Sequence, residues 1–178
     1  RRKLREVSWP PEKPDSVPSL DELPDLAVPT VGKPDAIPVE VFQDFGTMMS
    51  GEFFHEEMPA LLDEIWQGHI RVRYRDNTVP VMDWSYPIAI AARSVQAQLG
   101  EPGFWAFAKR VNPKYRPYPT YSKDRVLSTA ETVGASPEQV KMDVESWKYH
   151  AIIQREKRYA AQYDFAGVPT AVIGEGDN

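Results

Sequence analysis

The order of apolar patterns along the chain restricts its fold more than any other feature. Residues 39–45 predict a buried strand, and apolar residues then recur at helical spacing from Phe53 to Trp66. Residues 70–74 alternate apolar and basic side chains, which predicts a second strand. A long helical block follows, and residues 167–173 predict a turn and a third strand. A strand–helix–strand beginning indicates a right-handed parallel unit, so the sequence favours an α/β fold.

Glycine and proline residues are expected to end or kink the predicted helices. Pro59 lies inside the first helix and is expected to kink it. Gly100 and Gly134 each follow an apolar stripe and are expected to end helices. The sequence Ser-Pro-Glu-Gln at 136–139 predicts an N-cap with a capping box. The helical block is too long for a simple crossover, so we expect an inserted all-helical subdomain over residues 84–164.

The first 36 residues have a different composition from the rest. Seven of the 17 prolines are Pro10, Pro11, Pro14, Pro18, Pro24, Pro29 and Pro34. Proline lacks an N–H donor and fixes φ, so residues 1–36 are expected to form an extended arm. Apolar residues such as Trp9 could hold this arm against a surface of its own chain or of a partner. Residues 37–83 and 165–178 then form the α/β domain.

The chain contains no cysteine. This excludes disulfides, thiolate nucleophiles and cysteine-based zinc sites. The net charge of −5 argues against a nucleic-acid partner, because such proteins usually carry a basic surface. No apolar run of about 18 residues occurs, so no membrane-spanning helix is expected. The basic residues at 1–5 are typical of a solvated tail and are also compatible with contact to an anionic membrane.

Two segments together resemble a known family. Residues 41–46 read Val-Phe-Gln-Asp-Phe-Gly and precede the helix that contains Pro59, and residues 165–170 read Phe-Ala-Gly-Val-Pro-Thr before the late strand. With the helical block between them, they resemble the DsbA-like branch of the thioredoxin superfamily over roughly residues 29–173. The resemblance implies an α/β, thioredoxin-like fold with an inserted all-helical subdomain.

The resemblance also implies where the site lies. The degenerate active-site positions, where the family carries Cys-Pro-x-Cys, are Thr47, Met48, Met49 and Ser50, and the cis-proline loop is Val168, Pro169 and Thr170. The family's chemistry needs a thiolate and a second thiol three residues later. Neither Thr47 nor Ser50 can form a mixed disulfide. We therefore expect a redox-inactive protein without a catalytic residue.

The remaining role is binding. We expect an accessory subunit or protein-binding module that meets one or more protein partners, outside the cytoplasm and attached to a membrane complex through the N-terminal region. A cis-proline loop can pair with an extended strand, and Met48 and Met49 would supply an adaptable apolar lip. Further predicted partner contacts are Trp9, Tyr115, Arg116 and Tyr118. No cofactor, metal, nucleic acid or small-molecule substrate is expected.

One alternative is an enzyme that uses the thiol of bound glutathione instead of a cysteine of its own. Kappa-type glutathione transferases resemble DsbA in fold and use a hydroxyl to bind the thiolate of glutathione, a role that Thr47 or Ser50 could take. The simpler interpretation is that these hydroxyls cap the helix N-terminus, as Thr and Ser commonly do. The Ser-Pro-Tyr pattern typical of those transferases is absent.

Other polar residues allow weaker expectations. Asp44 lies at the end of the first strand and is expected to be a buried acid with a raised pKa. Arg71, Arg73 and Arg75 alternate along the second strand and favour a solvated strand face over a phosphate site. The three histidines show no metal-binding spacing. The family continues with a further strand and helix, so the resemblance implies that such elements, or a partner, complete the sheet.

Overall fold

The computed structural model describes residues 8–79, 83–112, 121–165 and 167–174, and within them one four-stranded sheet packs against helices. The strands are β1 (Thr30–Val31), β2 (Ile37–Gln43), β3 (Ile70–Asp76) and β4 (Thr170–Ile173). The helices are α1 (Met48–Glu52), α2 (Met58–Ala60), α3 (Leu62–Gln67), α4 (Ser85–Val111), α5 (Lys123–Thr132), α6 (Pro137–Glu145) and α7 (His150–Ala160). A π-helical turn over Phe53–Glu57 joins α1 to α2, and a 3-10 turn spans Leu20–Glu22.

The sheet has the strand order β1-β3-β2-β4. β2 and β3 pair in parallel with Val41 opposite Tyr74, which confirms the predicted strand–helix–strand unit. β4 runs antiparallel to β2 and places Thr170 opposite Phe42. β1 pairs antiparallel with β3 and belongs to the arm. The sequence did not predict β1, because two residues are too few to show an alternating pattern.

One face of the sheet carries the main apolar core. Its buried side chains are Val39, Val41, Val72 and Tyr74. α4 belongs to the same core, and residues 87–96 of this helix are buried without exception. Tyr74 stacks on Phe45 with ring centroids 5.4 Å apart and meets Phe104 of α4 edge-on at 5.0 Å. These rings join the sheet to the helical block.

The helical block ends its helices where the glycines predict. Gly100 has φ 73° and ψ −168°, which breaks α4 into two straight parts. Gly134 takes φ 94° after α5. Ser136 caps α6 by accepting the Gln139 N–H, but the expected capping box is incomplete because the Gln139 side chain donates to Asp143 instead. No helix in the described segments is both long and apolar enough to cross a membrane.

The helical segment after β2 is broken near its proline. Pro59 has no N–H to donate, and the turn before it is π-helical rather than α-helical. Leu61 separates α2 from α3 with ψ −9°. Gly68 ends α3 in the left-handed conformation, with φ 83°. The predicted kink is therefore present, spread over several residues.

The arm lies along the helical block. The Trp9 indole donates to Glu145 over 3.0 Å and packs beside Trp84, with ring centroids 6.2 Å apart. The Gln96 side chain of α4 donates to the Ala27 carbonyl at 2.7 Å. The Trp9 side chain is thus committed to this chain, and its contact with a partner stays a prediction.

The second face of the sheet is ionic, which corrects the expectation of a solvated arginine row. Arg75 is buried and donates to Glu40 at 2.6 Å and to Glu156 of α7 at 2.8 Å. Arg73 also donates to Glu40, at 2.6 Å. Arg71 donates to the Pro34 carbonyl. Alternation alone could not reveal this, because Glu156 comes from a helix 81 residues away from Arg75 in sequence.

We predict that Arg75→Met lowers the free energy of unfolding by about 3 kcal/mol or more, because it leaves buried carboxylates of Glu40 and Glu156 without their shared cation. Urea denaturation measures this change. The matched control is Glu64→Gln, which breaks an exposed pair with His69 and should change stability by less than about 1 kcal/mol. Equal effects of the two substitutions would contradict a buried network.

Candidate functional site

The predicted site segments meet at one end of the sheet. Because β2 and β3 are parallel, their carboxyl ends lie at the same edge, and Thr47 follows β2 directly. β4 is antiparallel to β2 and begins at this edge, with Thr170 beside Phe42. The Val168–Pro169 peptide just before β4 is cis, as expected from the resemblance. The fold thus brings residues 47–50 and 168–170 to the same end of the molecule.

The four degenerate positions differ in accessibility. Met48 is 43% exposed, and Met49 is half-buried. Thr47 is the residue before α1, but its hydroxyl donates to the Asp44 carbonyl at 2.9 Å and makes no capping hydrogen bond. Ser50 is fully buried, and its hydroxyl has no hydrogen-bond partner among the residues that the structure places. The expected capping role of these hydroxyls is therefore wrong.

Asp44 holds the loop that leads into α1. Its Oδ1 accepts the Gly46 N–H at 2.7 Å, and its backbone carbonyl accepts the Thr47 N–H at 3.1 Å. Its Oδ2 accepts the Val79 N–H at 2.5 Å and the Ser85 hydroxyl at 2.9 Å. One carboxylate thus joins the end of β2, the segment after β3 and the start of α4.

Burial sets the protonation behaviour of this carboxyl. The Asp44 side chain is fully buried, and loss of water raises its pKa above the ordinary value of 3.8, although the hydrogen bonds from Ser85, Val79 and Gly46 oppose the increase in pKa. Lys157 also lowers the pKa of Asp44 slightly. The sequence-based expectation of a buried acid with a raised pKa is confirmed.

The site includes residues that sequence reasoning missed. Ser85 binds Asp44 from the start of α4, and Lys157 of α7 donates to the Thr78 carbonyl at 2.7 Å. The Tyr121 hydroxyl donates to the Phe45 carbonyl. These partners are 35 or more positions away from the site loop in sequence, and no short motif marks them. The usable sequence signals at this end of the fold were Asp44 after a strand and the Val168–Pro169 loop.

A buried ion pair lies near Asp44. Arg93 of α4 donates two hydrogen bonds to Asp76, at 3.0 Å from Nε and 2.6 Å from Nη2. Burial raises the pKa of Asp76, and the charge of Arg93 opposes that effect on the pKa. Asp76 ends β3 as Asp44 follows β2, so two buried carboxylates sit at the carboxyl ends of the two parallel strands.

The histidines form no metal site in the described parts of the chain, where no cluster of possible ligands occurs. His55 Nε2 lies 2.8 Å from the Asn112 carbonyl oxygen, so it links the first helical segment to the end of α4 rather than facing only water. His150 stands 5.2 Å from the Tyr86 ring, and burial lowers its pKa. These contacts explain His55 and His150 as packing residues, whereas His69 forms an exposed pair with Glu64. Tyr115, Arg116 and Tyr118 lie outside the residues that the structure describes.

A comparison with protein families identifies the fold. The family model described as thioredoxin matches residues 26–177. The chain belongs to the thioredoxin family. No curated protein sequence matches it. The thioredoxin assignment agrees with the mixed sheet and the inserted helical region described above.

Solved structures of thiol–disulfide oxidoreductases share this fold. BdbD from Bacillus subtilis superposes with a TM-score of 0.74 at 17% identity, over 84% of this chain and 82% of that one. DsbA from Chlamydia trachomatis gives 0.71 at 20%, over 83% and 81%. A thioredoxin-like oxidoreductase from Silicibacter pomeroyi gives 0.64 at 24%, over 84% and 81%. At these identities the likeness establishes the fold alone.

The thiol–disulfide chemistry of the thioredoxin family depends on cysteine thiols, which this chain lacks. Thiol–disulfide exchange requires a thiolate that attacks a disulfide sulfur. With no cysteine in the sequence, the chain cannot carry out that exchange on residues of its own. Thr47 and Ser50 keep the positions, and Asp44 keeps the loop, but no group there accepts electrons. The absence of cysteine is consistent with a family member that lacks the active-site pair.

The raised pKa of Asp44 predicts a pH-dependent difference between the wild type and Asp44→Asn. The folded state binds the Asp44 proton more tightly than the unfolded state, so the wild type loses stability relative to the variant as pH rises from 3.8 through the raised pKa. Each tenfold tightening of proton binding contributes about 1.4 kcal/mol. The cost of losing an acceptor oxygen is independent of pH. Urea denaturation from pH 3.5 to 7 measures the difference, and a flat difference would contradict a raised pKa.

The hydroxyl geometry predicts that glutathione does not bind. Ser50 is buried where a ligand cannot reach its hydroxyl, and the Thr47 hydroxyl hydrogen is already donated to the Asp44 carbonyl, so neither group is available to a bound thiolate. Isothermal titration of reduced glutathione into the wild type should give no saturable heat. Saturable heat that disappears in Thr47→Val would restore the transferase alternative.

Proposed function

We propose that this chain is a redox-inactive binding module that holds an extended segment of a partner protein. The binding surface, here called the site lip, consists of Thr47, Met48, Met49, Val168 and Pro169. One observation supports the proposal: Asp44 anchors the loop before α1 and a cis-proline precedes β4 at the same end of the sheet, while the chain has no cysteine for thiol exchange. Without thiol chemistry, this surface can still bind a partner segment but cannot exchange disulfides with it.

The side chains of the site lip suit contact with varied apolar groups. Met48 is an exposed large apolar residue, and Met49 and Val168 are half-buried at the same end of the fold. Methionine is unbranched and polarisable, so it adapts to partners of different shape. An exposed methionine at a sheet end is costly to keep in water, and contact with a partner would remove that cost.

The backbone of the site lip offers a second kind of contact. β4 pairs with β2 on one side, and its other edge has no strand partner in the described part of the chain. Ile173 on this strand is 71% exposed. An extended peptide can add to such an edge through main-chain hydrogen bonds while pockets select side chains. The segment Val168–Thr170 supports this mode because it leads directly into the open strand.

The proposed role needs no cofactor, and hydrogen bonds already anchor the loop beside the site lip. Asp44 fixes the loop before α1, and the Tyr121 hydroxyl holds the Phe45 carbonyl. A surface ordered before binding loses less entropy on association. We place the module outside the cytoplasm as an accessory subunit of a membrane complex, with the basic residues at 1–5 near the membrane surface.

Site-specific photocrosslinking tests the proposal. A benzoylphenylalanine in place of Met48, in cells of the source organism, should give one discrete adduct. The matched control places the same group at Trp66, which is 75% exposed and lies at the other end of the helical segment between β2 and β3. Val168→Asp should abolish the Met48 adduct. Absence of an adduct at Met48, or the same adducts from both positions, would contradict the proposal.

A further inference from the structure

Trp9 attaches the N-terminal arm to the helical block at one small contact site. Its indole N–H donates to Glu145 of α6, and the Lys123 ammonium lies 5.6 Å from the indole ring centre and 3.7 Å from Glu145 Oε1. Lys123 is the first residue of α5. Trp9 therefore contacts the beginning of α5 as well as α6.

The neighbouring part of the arm is attached loosely. Residues 8–18 contain no helix or strand, and the bond from Trp9 to Glu145 is the one hydrogen bond that joins them to the rest of the described chain. A cleft of about 440 Å³ lies between this part of the arm, at Pro10 and Pro11, and the side chains of Tyr86 and Trp147. Segments with so few hydrogen bonds open at a low free energy. The arm can thus leave its place at Trp9 while the helical block stays folded.

Ring contacts connect Trp9 to the loop before α1. The Trp9 ring packs beside Trp84, with centroids 6.2 Å apart, and Trp84 meets the Tyr121 ring at 5.8 Å. Tyr121 lies two positions before the first residue of α5. Trp9 thus contacts both the ring that packs on Tyr121 and the helix that begins beside it.

This path ends at a single peptide group of the loop. The Tyr121 hydroxyl donates to the Phe45 carbonyl, and the N–H of the same peptide group, on Gly46, donates to Asp44 Oδ1 at 2.7 Å. Since the peptide group is planar, these two bonds together fix its orientation. Thr47 of the site lip follows directly. Loss of the Tyr121 bond would leave Asp44 alone to hold the peptide group.

We propose, on the basis of the binding role given to the site lip above, that the arm regulates this surface. Trp9 in its place keeps Tyr121 on the Phe45 carbonyl, and release of Trp9 loosens the loop before α1 and weakens binding of the partner segment. A loop that is ordered before association loses less entropy on binding. By linkage, a partner segment on the site lip also holds the arm against α6.

Hydrogen exchange of the Gly46 amide in the ¹⁵N-labelled protein, without a partner, tests the coupling. Trp9→Ala should speed exchange at Gly46 by about tenfold, a typical strength for coupling between two sites. Leu20→Ala is the matched control, because it shortens an exposed apolar side chain of the same arm, and it should change the rate by less than about twofold. The Val72 amide in β3 reports on the whole fold and should keep its rate.

A double variant identifies the route. Tyr121→Phe keeps the ring and removes the hydroxyl, so it should speed Gly46 exchange, and adding Trp9→Ala to it should change the rate no further. Glu145→Ala removes the acceptor of the Trp9 indole and should act in the same direction, which covers the case in which Trp9→Ala does not fold. An unchanged Gly46 rate in the folded arm variant, equal acceleration at Gly46 and Val72, or additive effects of Trp9→Ala and Tyr121→Phe would overturn the proposal.

Photocrosslinking from position 48 tests the effect on binding. Trp9→Ala should reduce the adduct about tenfold, and Leu20→Ala should keep it. A full adduct in Trp9→Ala would contradict regulation by the arm while leaving the partner in place. No adduct with the arm intact would instead contradict the proposed partner, and the Gly46 exchange rates would still decide whether the arm is coupled to the loop.

Discussion

The buried carboxylate of Asp44 is the constraint on which the site end of this protein depends. A charge-capable group with no access to water is unfavourable unless donors surround it, and here Gly46, Val79 and Ser85 supply them. These donors come from three separate segments, so satisfying the carboxylate also sets their relative positions. The loop before α1 keeps its shape for this reason, whatever residues occupy positions 47–50.

The opposite face of the sheet is stabilised by a different interaction. Glu40, Arg75 and Glu156 form a buried chain of charges between the sheet and α7, and the Arg75 guanidinium also lies 4.2 Å from the centre of the Tyr159 ring. Such groups specify which helix covers the face, because an apolar helix would leave the charges unpaired. One face is therefore held by apolar packing and the other by paired charges.

The sequence predicted correctly those features that depend on residues close together in the chain. Gly100 and Gly134 end helices because a left-handed residue is needed there, and the β2–β3 pair is parallel because a helix connects the two strands. The arginine row could not be interpreted locally, since its carboxylate partners come from β2 and from a distant helix. Likewise, β1 exists only because the arm meets β3.

The site was predictable in position but not in detail. Asp44 and the Val168–Pro169 loop carry recognisable sequence signals, whereas the burial of Ser50 and the donation from Thr47 to the Asp44 carbonyl depend on how the loop turns. Ser85 gave no signal, because a serine at a helix start is common and its partner is 41 positions away. A single sequence does not show which distant residues will supply the hydrogen-bond partners of a buried polar group.

The central claim is that this site keeps a loop geometry suited to a Cys-x-x-Cys pair although the chain has no cysteine. Restoring two thiols in the double variant Thr47→Cys/Ser50→Cys tests it most directly, with free thiols counted after oxidation by glutathione disulfide. We predict that both thiols disappear into one intramolecular disulfide and that the reduced double variant, unlike the wild type, reduces insulin. Two thiols that stay free after oxidation would show that the loop has been rebuilt and would contradict the claim.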